Sequence, residues 1–432
     1  RIRVGDHHDQ LIAGLDEIDW PESIKAMQRN WIGRSDGWEV IFQTEAGLPV
    51  PVYTTRPDTI FGVTYLVIAP EHPLASLITT DEQRQVVEAY QSEVNKYSEI
   101  ERMLDDHEKT GVFTGAYVIH PFRGDKIPVW IADYILPSYG SGAVMGVPAH
   151  DERDYAFASA HALPVTLVVV PPDYCADTRS AAYTGSGILI NSSVYDGMTS
   201  IEAMECIGKD LEQRGLAIRQ VQYRMRDWLI SRQRYWGTPI PIIHCERCGE
   251  VPVNEEQLPI LLPDMEDYQP NGSGRSSLAR HPDFVHTTCP KCGMPAQRET
   301  DTMGGFACSS WYFLRFTSPH ETKAPFDQDA VRYWMPVDLY IGGAEHAVLH
   351  LLYARFWTKV LADAGLLPFR EPFIRLKNQG QLLGLDGHRM SKSRGNTITP
   401  DSMVEQYGAD ALRIYSLFMA PFDQDIAWST EG

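Results

Sequence analysis

The sequence predicts an α/β protein of several domains, on three observations. Its 432 residues exceed what one hydrophobic core usually serves, so about two to four domains are expected. Strand-like runs at Val40–Thr55, Thr64–Ala69 and Val165–Val170 flank an amphipathic helical stretch at Asp81–Val94, the pattern of a compact mixed α/β unit. Two cysteine pairs then set off a small module, and strand, loop and helix patterning resumes from about Thr300.

The elements follow in order. Asp9 to Met27 is helical in period, with Leu11, Leu15 and Ile18 on one side, and Trp20-Pro21 starts a second helix that runs into Gln28-Arg29-Asn30-Trp31. After the mixed unit comes an arginine run, Arg214, Arg219, Arg224, Arg226, Arg232 and Arg234, opposed only by Asp227. Near the end, Leu339-Tyr340-Ile341-Gly342-Gly343 reads as a buried strand feeding a helix from His346 to Leu361. No repeat at solenoid periods interrupts this order.

Composition narrows the function classes. With 43% hydrophobic and 22% charged residues the chain reads as an ordinary soluble protein, and no window holds eighteen or so uninterrupted apolar residues. The start, RIRVGDHHDQ, has neither an apolar signal core nor a Met, so a cytoplasmic piece of something longer is expected. A net charge of -19 argues against a polyanion partner except where the arginine run concentrates positive charge; that run is equally a solvated or salt-bridged face.

Four of the seven cysteines form Cys245-Glu-Arg-Cys248-Gly249 and Cys289-Pro-Lys-Cys292-Gly293. Each C-x-x-C-G puts two thiolates on one tight turn, and two such turns complete a tetrahedral sulfur site suited to structural zinc. The other three, Cys175, Cys206 and Cys308, read as buried packing, and Asn271 to Gly274 as a flexible surface loop.

Three further stretches carry chemistry. Val52 to Thr59, VYTTRPDT, crowds hydroxyls and an Asp around a proline, which suits a capped turn as well as a polar site. His150-Asp151-Glu-Arg-Asp154 before an apolar run suits a helix N-terminus; His150 is either a general base or a turn histidine with a structural hydrogen bond. Arg389 to Asn396, RMSKSRGN, places Ser391, Lys392 and Ser393 on a loop fit to capture phosphate. His346 and His350 sit four apart, hence on one helical face, with nothing at matching spacing to complete a metal site.

RMSKSRGN resembles the KMSKS loop of class I aminoacyl-tRNA synthetases, with Arg389 in place of the first Lys. MQRNWIGRS, TTRPDTIFG, GSGAVMGVPAHDERDYAFA, DWLISRQRYWGTPIP, ETDTMGGFACSSWYF and DLYIGGAEHAVLHLLYARF extend the resemblance, and they are similar to leucyl-tRNA synthetases of bacterial type. Isoleucyl and valyl relatives carry a similar TTRP stretch but usually a Trp where Asp58 stands.

The resemblance implies an editing domain inserted in a Rossmann-like catalytic fold, plus a small zinc module. Its implied boundaries are 1–30 for the end of the first catalytic half, 31–225 for editing, 226–243 for the return linker, 244–298 for the zinc-ribbon-like module and 299–432 for the C-terminal catalytic half. A hydrophobic pocket separates side chains one methylene apart by only about 1–3 kcal/mol, so a second, hydrolytic site is useful. By resemblance, Thr59 excludes leucine's branched side chain and Asp154 holds the substrate ammonium. Thr54 and Thr55 contact the terminal adenosine or order water, and Met145 and Val147 line the side-chain pocket; Arg56, Asp58, His150 and Asp151 complete it. In the synthetic region Lys392 meets the leaving pyrophosphate. Ser310, Tyr312, His346 and His350 line the leucine and adenylate site, and Gly380 and Gln381 approach adenosine. Implied partners are tRNA-Leu, leucine, ATP with Mg²⁺, and structural Zn²⁺.

The family also carries a His-X-Gly-His motif, and none of the fourteen histidines fits that spacing. The expectation is therefore an internal fragment, or one subunit of a split enzyme, that edits without charging and would need the missing half as a partner. A freestanding trans-editing hydrolase is disfavoured by RMSKSRGN. A non-catalytic tRNA-binding scaffold would be indifferent to Asp154→Ala.

Overall fold

The computed structural model describes every residue except 98, 103–108, 137–139, 174–180, 270, 271 and 273, and leaves out the side chains of 99 and 100. Cys175 and part of the Asn271–Gly274 loop therefore lie outside the described residues. The chain forms two compact units: Arg34–Arg224, and Arg1–Gly33 together with Met225–Gly432.

Among the described residues the first unit contains nine strands: β1 (Arg34–Thr44), β2 (Pro49–Thr54), β3 (Tyr65–Ile68), β4 (Gly111–Ile119), β5 (Lys126–Ala132), β6 (Ala143–Gly146), β7 (Val169–Val170), β8 (Ile188–Leu189) and β9 (Ala217–Tyr223). The expected strand Val40–Thr55 is a hairpin, because the chain turns at Glu45-Ala46-Gly47, with Gly47 at a φ of +79°, and Trp38 comes to lie opposite Thr54. The main sheet runs β2-β1-β4-β5-β3-β6, with β9 also on β1. Its two ends, β2 and β6, return alongside each other, so the sheet curls round an apolar core that includes Phe42, Val52, Ile60, Ile131 and Met145. The helix Ser200–Gln213 buries Ala203, Ile207 and Leu211 against that core and starts in a Thr199–Glu202 capping box. The helix Asp81–Val94 stands as read from periodicity. Of Val165–Val170 only the last two residues find a strand partner, and Val165 is exposed.

In the second unit the first helical stretch breaks into His7–Ala13, a 3₁₀ turn Gly14–Glu17, and Glu22–Ile32 after Pro21. Parallel strands Val337–Ile341 and Phe373–Lys377 are joined through the helix His350–Asp363, a βαβ arrangement. Buried Arg355 forks onto Glu371 at 2.7 and 2.8 Å and reaches Gln28 at 2.6 Å, while Lys359 meets Glu371 at 2.7 Å. These bonds tie the N-terminal helices to the βαβ segment, since each buried charge there has an opposite charge and hydrogen bonds.

The arginine run is divided. Arg214, Arg219 and Arg224 belong to the first unit; Arg226, Arg232 and Arg234 to the second. Arg214 lies over the Phe122 ring, and Arg219 pairs with Glu205 and lies over Trp38, so these two are used locally. Cys206 and Cys308 are exposed, contrary to the packing expected of them. No described helix is long and apolar enough to cross a membrane.

Candidate functional site

β3 and β6 pair antiparallel, Tyr65 opposite Gly146 and Leu66 opposite Met145. The turn that precedes β3 and the helix that follows β6 consequently meet at one end of the sheet. That turn is a 3₁₀-helix, Pro57–Gly62, whose fixed proline φ suits its first position. The helix is Glu152–Ala160, capped by Asp151, whose side chain accepts the N–H groups of Arg153 and Asp154.

Most polar atoms of the turn hold the turn itself. The Thr54 hydroxyl accepts Arg56 N–H at 3.0 Å, and the Thr59 hydroxyl donates to the Arg56 carbonyl at 2.8 Å. Arg56 forks onto Asp58 at 2.9 and 2.8 Å and also reaches the Thr184 carbonyl. Asp58 is 0% exposed, and the fork gives it an opposite charge and hydrogen bonds. Thr59 is 1% exposed and Thr55 is open to solvent. Met145 and Val147 are buried in the same apolar cluster as Ile60 and Val168.

Asp154 differs from Asp58. It is buried, and its Oδ2 accepts Val147 N–H at 2.8 Å. Burial pushes its pKa up to about 7, Asp151 adds to the rise, and the Val147 N–H opposes it. A cation arriving at this carboxylate would favour its charged form, which burial otherwise disfavours. Tyr65 packs behind it, its hydroxyl bonded to the Asp154 carbonyl at 3.3 Å, and burial raises the Tyr65 pKa.

His150 is the structural histidine of the two readings. Its Nδ1 faces the Tyr183 carbonyl at 3.0 Å while Nε2 accepts Val168 and Val169 N–H at 3.0 and 3.2 Å. Both ring nitrogens are thus engaged by backbone, and burial lowers its pKa. It has no nitrogen left for a general base.

In the second unit, Tyr312, Tyr340, His350 and Ser309 form one hydrogen-bonded chain at 2.8, 2.8 and 3.1 Å. Burial, then the neighbouring His346, lowers the His350 pKa to about 4, so the ring is neutral at working pH. His346 ends a 3₁₀ turn and His350 opens the helix, so the two do not share one helix; their ring centroids are 6.2 Å apart at nearly right angles. The buried Nδ1 of His346 has no hydrogen-bond partner among the described residues. Ser310 is turned away, its hydroxyl donating to the Phe306 carbonyl. Ser309 and Tyr340 were missed by sequence reasoning. Their signal was present: Ser309 adjoins Ser310, and Tyr340 lies in the strand beside the histidines.

A cavity of about 820 Å³ lies between Ser23, Glu345, Lys377, Gly380, Gln381 and Arg389. At Gly380 an added Cβ would stand 2.0 Å from the Gln424 carbonyl, so the glycine answers first to a close backbone approach within the fold. Ser391 caps the short turn Lys392–Arg394, Ser391 and Ser393 hydroxyls lie 3.3 Å apart, and Asn396 is held by Asp386. Lys392 is exposed, and no ion pair engages it among the described residues.

The four module cysteines sit on two hairpin turns of a four-stranded sheet, Gly249-Glu250-Val251-Pro252 beside Ile242–Cys245 and Pro295–Arg298 beside His286–Thr288. Gly249 and Gly293 both adopt φ of +72°, the left-handed geometry each turn requires. All four sulfurs lie within 4.8 Å of one another. Tetrahedral zinc with bonds of about 2.3 Å needs sulfurs about 3.8 Å apart, and Cys245 and Cys292 are at 3.7 Å. The donor set therefore fits zinc.

Two family descriptions match in turn: "Leucyl-tRNA synthetase, editing domain" over residues 29–212 and "tRNA synthetases class I (I, L, M and V)" over 200–429. The chain belongs to the class I tRNA synthetases. It is 52% identical to the leucine–tRNA ligase of Dehalococcoides mccartyi over the whole chain and 53% of that protein. It is also 52% identical to that of Rubrobacter xylanophilus over 98% of the chain and 51% of the relative. Among solved structures, the ternary complex of Agrobacterium radiobacter K84 LeuRS with tRNA and LeuAMS matches at a TM-score of 0.83 and 42% identity, covering 99% of this chain and 50% of that one. The chain thus spans about half the length of these synthetases.

Proposed function

We propose that this chain carries the hydrolytic editing site and the signature-loop half of the synthetic site of a leucine–tRNA ligase. The whole ligase would join leucine to tRNA-Leu with ATP and Mg²⁺, releasing AMP and diphosphate, in the cytoplasm. The observation that carries the editing reading is the β3–β6 pairing, which sets buried Thr59 and desolvated Asp154 at one end of the sheet beside Met145 and Val147.

In this reading Asp154 takes the ammonium of the mischarged amino acid, an opposite charge that would restore the carboxylate form that burial disfavours. Thr59, pinned to the Arg56 carbonyl, stands where leucine's branch would come, while Met145 and Val147 receive an unbranched chain. Thr54 and Thr55 meet the terminal adenosine. A positioned water adds to the ester carbonyl carbon, the bond to the ribose oxygen breaks, that oxygen takes up one proton of the water to become the free hydroxyl, and the amino acid leaves as its carboxylate with the other proton released to solvent. Met145, Val147 and Thr59 decide which ester reaches that water; Arg56 and Asp58 hold the turn.

On the synthetic side Lys392, Ser391 and Ser393 would meet the pyrophosphate. His346, His350 and Tyr312 would border leucine, and Gly380 and Gln381 the adenosine. Cys245, Cys248, Cys289 and Cys292 would hold Zn²⁺ as a structural clamp of the module spanning 244–298. The editing domain would occupy 31–225, and the Rossmann-like catalytic half 299–432. As these 432 residues stand, hydrolysis without charging is the activity expected of them.

The test is deacylation of norvalyl-tRNA-Leu and leucyl-tRNA-Leu, with ATP–pyrophosphate exchange measured in parallel. Selective hydrolysis of the norvalyl ester, lost in Asp154→Ala and unaccompanied by exchange, supports the reading. Equal hydrolysis of both esters, or activity indifferent to Asp154→Ala, overturns it.

A further inference from the structure

We infer that the tip of the β4–β5 hairpin positions the specificity residue Thr59, with Arg123 as its principal positioning residue. This rests on the editing role proposed for Thr59.

A 3₁₀ turn leaves its last carbonyls short of partners in the helix, and here that end lies inside the protein: Ile60, Phe61 and Val63 are all buried, and of their carbonyls Ile60's already accepts the N–H of Val63 at 3.1 Å. One short hairpin tip supplies a second donor to Ile60 and side-chain donors to the other two. His120 Nε2 donates to the Ile60 carbonyl at 2.9 Å. Arg123 donates through Nη1 to the Phe61 carbonyl and through Nη2 to the Val63 carbonyl at 3.2 Å. Three of the four carbonyls that follow Thr59 are thereby held from one side.

The tip is itself constrained. Asp125 fixes the guanidinium at 2.9 and 3.0 Å. His120 Nδ1 accepts the N–H groups of Phe122 and Arg123, both at 3.1 Å, which assigns the proton to Nε2. Burial lowers the His120 pKa to about 4, so that tautomer persists at working pH. Phe122 stacks on Phe61 with centroids 5.1 Å apart, meets Tyr195 at 5.8 Å, and carries Arg214 over its ring. The turn bearing Thr59 and the hairpin tip therefore move as one packed piece.

A selectivity wall works only if its distance from the substrate is fixed, and an ångström-scale misplacement can change a rate on the order of a hundredfold. Releasing the Phe61 and Val63 carbonyls lets the Thr59 end of the turn shift, so the wall recedes from a branched side chain. The prediction is a change in selectivity, which a general loss of stability would not produce.

The experiment compares Arg123→Ala, Arg123→Lys, Thr59→Ala and the Arg123→Ala/Thr59→Ala double variant of the full chain in deacylation of norvalyl- and leucyl-tRNA-Leu. Arg123→Ala is expected to raise the leucyl-to-norvalyl rate ratio on the order of tenfold, and Arg123→Lys, which cannot reach both carbonyls, by an intermediate factor. In the Thr59→Ala background the Arg123 effect should disappear, because both changes act on one wall. Equal scaling of both esters, or full additivity in the double variant, overturns the inference. Leucyl hydrolysis unchanged in Thr59→Ala overturns the editing role of Thr59 itself, and the inference with it. Should Arg123→Ala fail to fold, an unchanged ratio in folded Arg123→Lys is the contradicting result.

Discussion

The two sequence motifs that point most directly to chemistry are built in opposite ways. In the TTRPDT turn Thr54, Asp58 and Thr59 are buried, and every polar side chain but exposed Thr55 is bonded to the backbone or to a neighbour: Thr54 and Thr59 to Arg56, Arg56 to Asp58. In the RMSKSRGN loop Lys392, Ser393 and Arg394 stand in solvent around a local scaffold of Ser391, Asn396 and Asp386. The difference fits the roles proposed for the two motifs. A site that must reject a substrate by shape needs fixed walls, whereas a loop that meets a charged phosphate needs a cation that is free to be approached.

If the contrast holds, cutting the first motif should cost stability and cutting the second should not. The largest effect is expected of Arg56→Ala, which leaves the fully buried Asp58 carboxylate unpaired and should destabilise the unit 34–224 by about 3 kcal/mol in urea denaturation. A loss near zero would mean that water replaces the fork and the turn is not a fixed wall.

Next comes Asp154→Asn. The folded carboxylate has a pKa of about 7, above its unfolded value, so its contribution is most favourable at low pH and is lost as pH rises through 7. Removing the charge should therefore stabilise the unit by roughly 2–4 kcal/mol at pH 8 and by nothing measurable at pH 4. Thermal melts at the two pH values check this, and a gain that does not depend on pH would exclude desolvation as its source.

The smallest effect is expected of Lys392→Ala, an exposed side chain without an ion pair among the described residues: within about 0.5 kcal/mol of the parent in stability. A large loss there would erase the distinction between the two motifs.

How much of this was legible in the sequence depended on whether local pattern or distant pairing decided the matter. The Asp81–Val94 helix and the cysteine turns were readable because periodicity and C-x-x-C-G are local signals. The hairpin inside Val40–Thr55 was missed because both arms are rich in apolar residues and the turn between them, Glu45 to Leu48, carries a single charged residue as its signal. His346 and His350 were placed on one helix because spacing alone cannot reveal that the helix begins at His350. His150 could be decided only once Val168, Val169 and Tyr183, all distant in sequence, were seen around its ring. The carbonyls held by His120 and Arg123 carry no sequence signature, since backbone oxygens look alike at every position.

The central claim is that a buried wall at Thr59 spares the correct product while Asp154 holds the ammonium of the wrong one. The most direct test is the ratio of norvalyl- to leucyl-tRNA-Leu hydrolysis in Thr59→Ala. The account predicts that hydrolysis of the leucyl ester appears and the ratio collapses toward unity while the norvalyl rate persists. A ratio that stays as high as the parent's would contradict it.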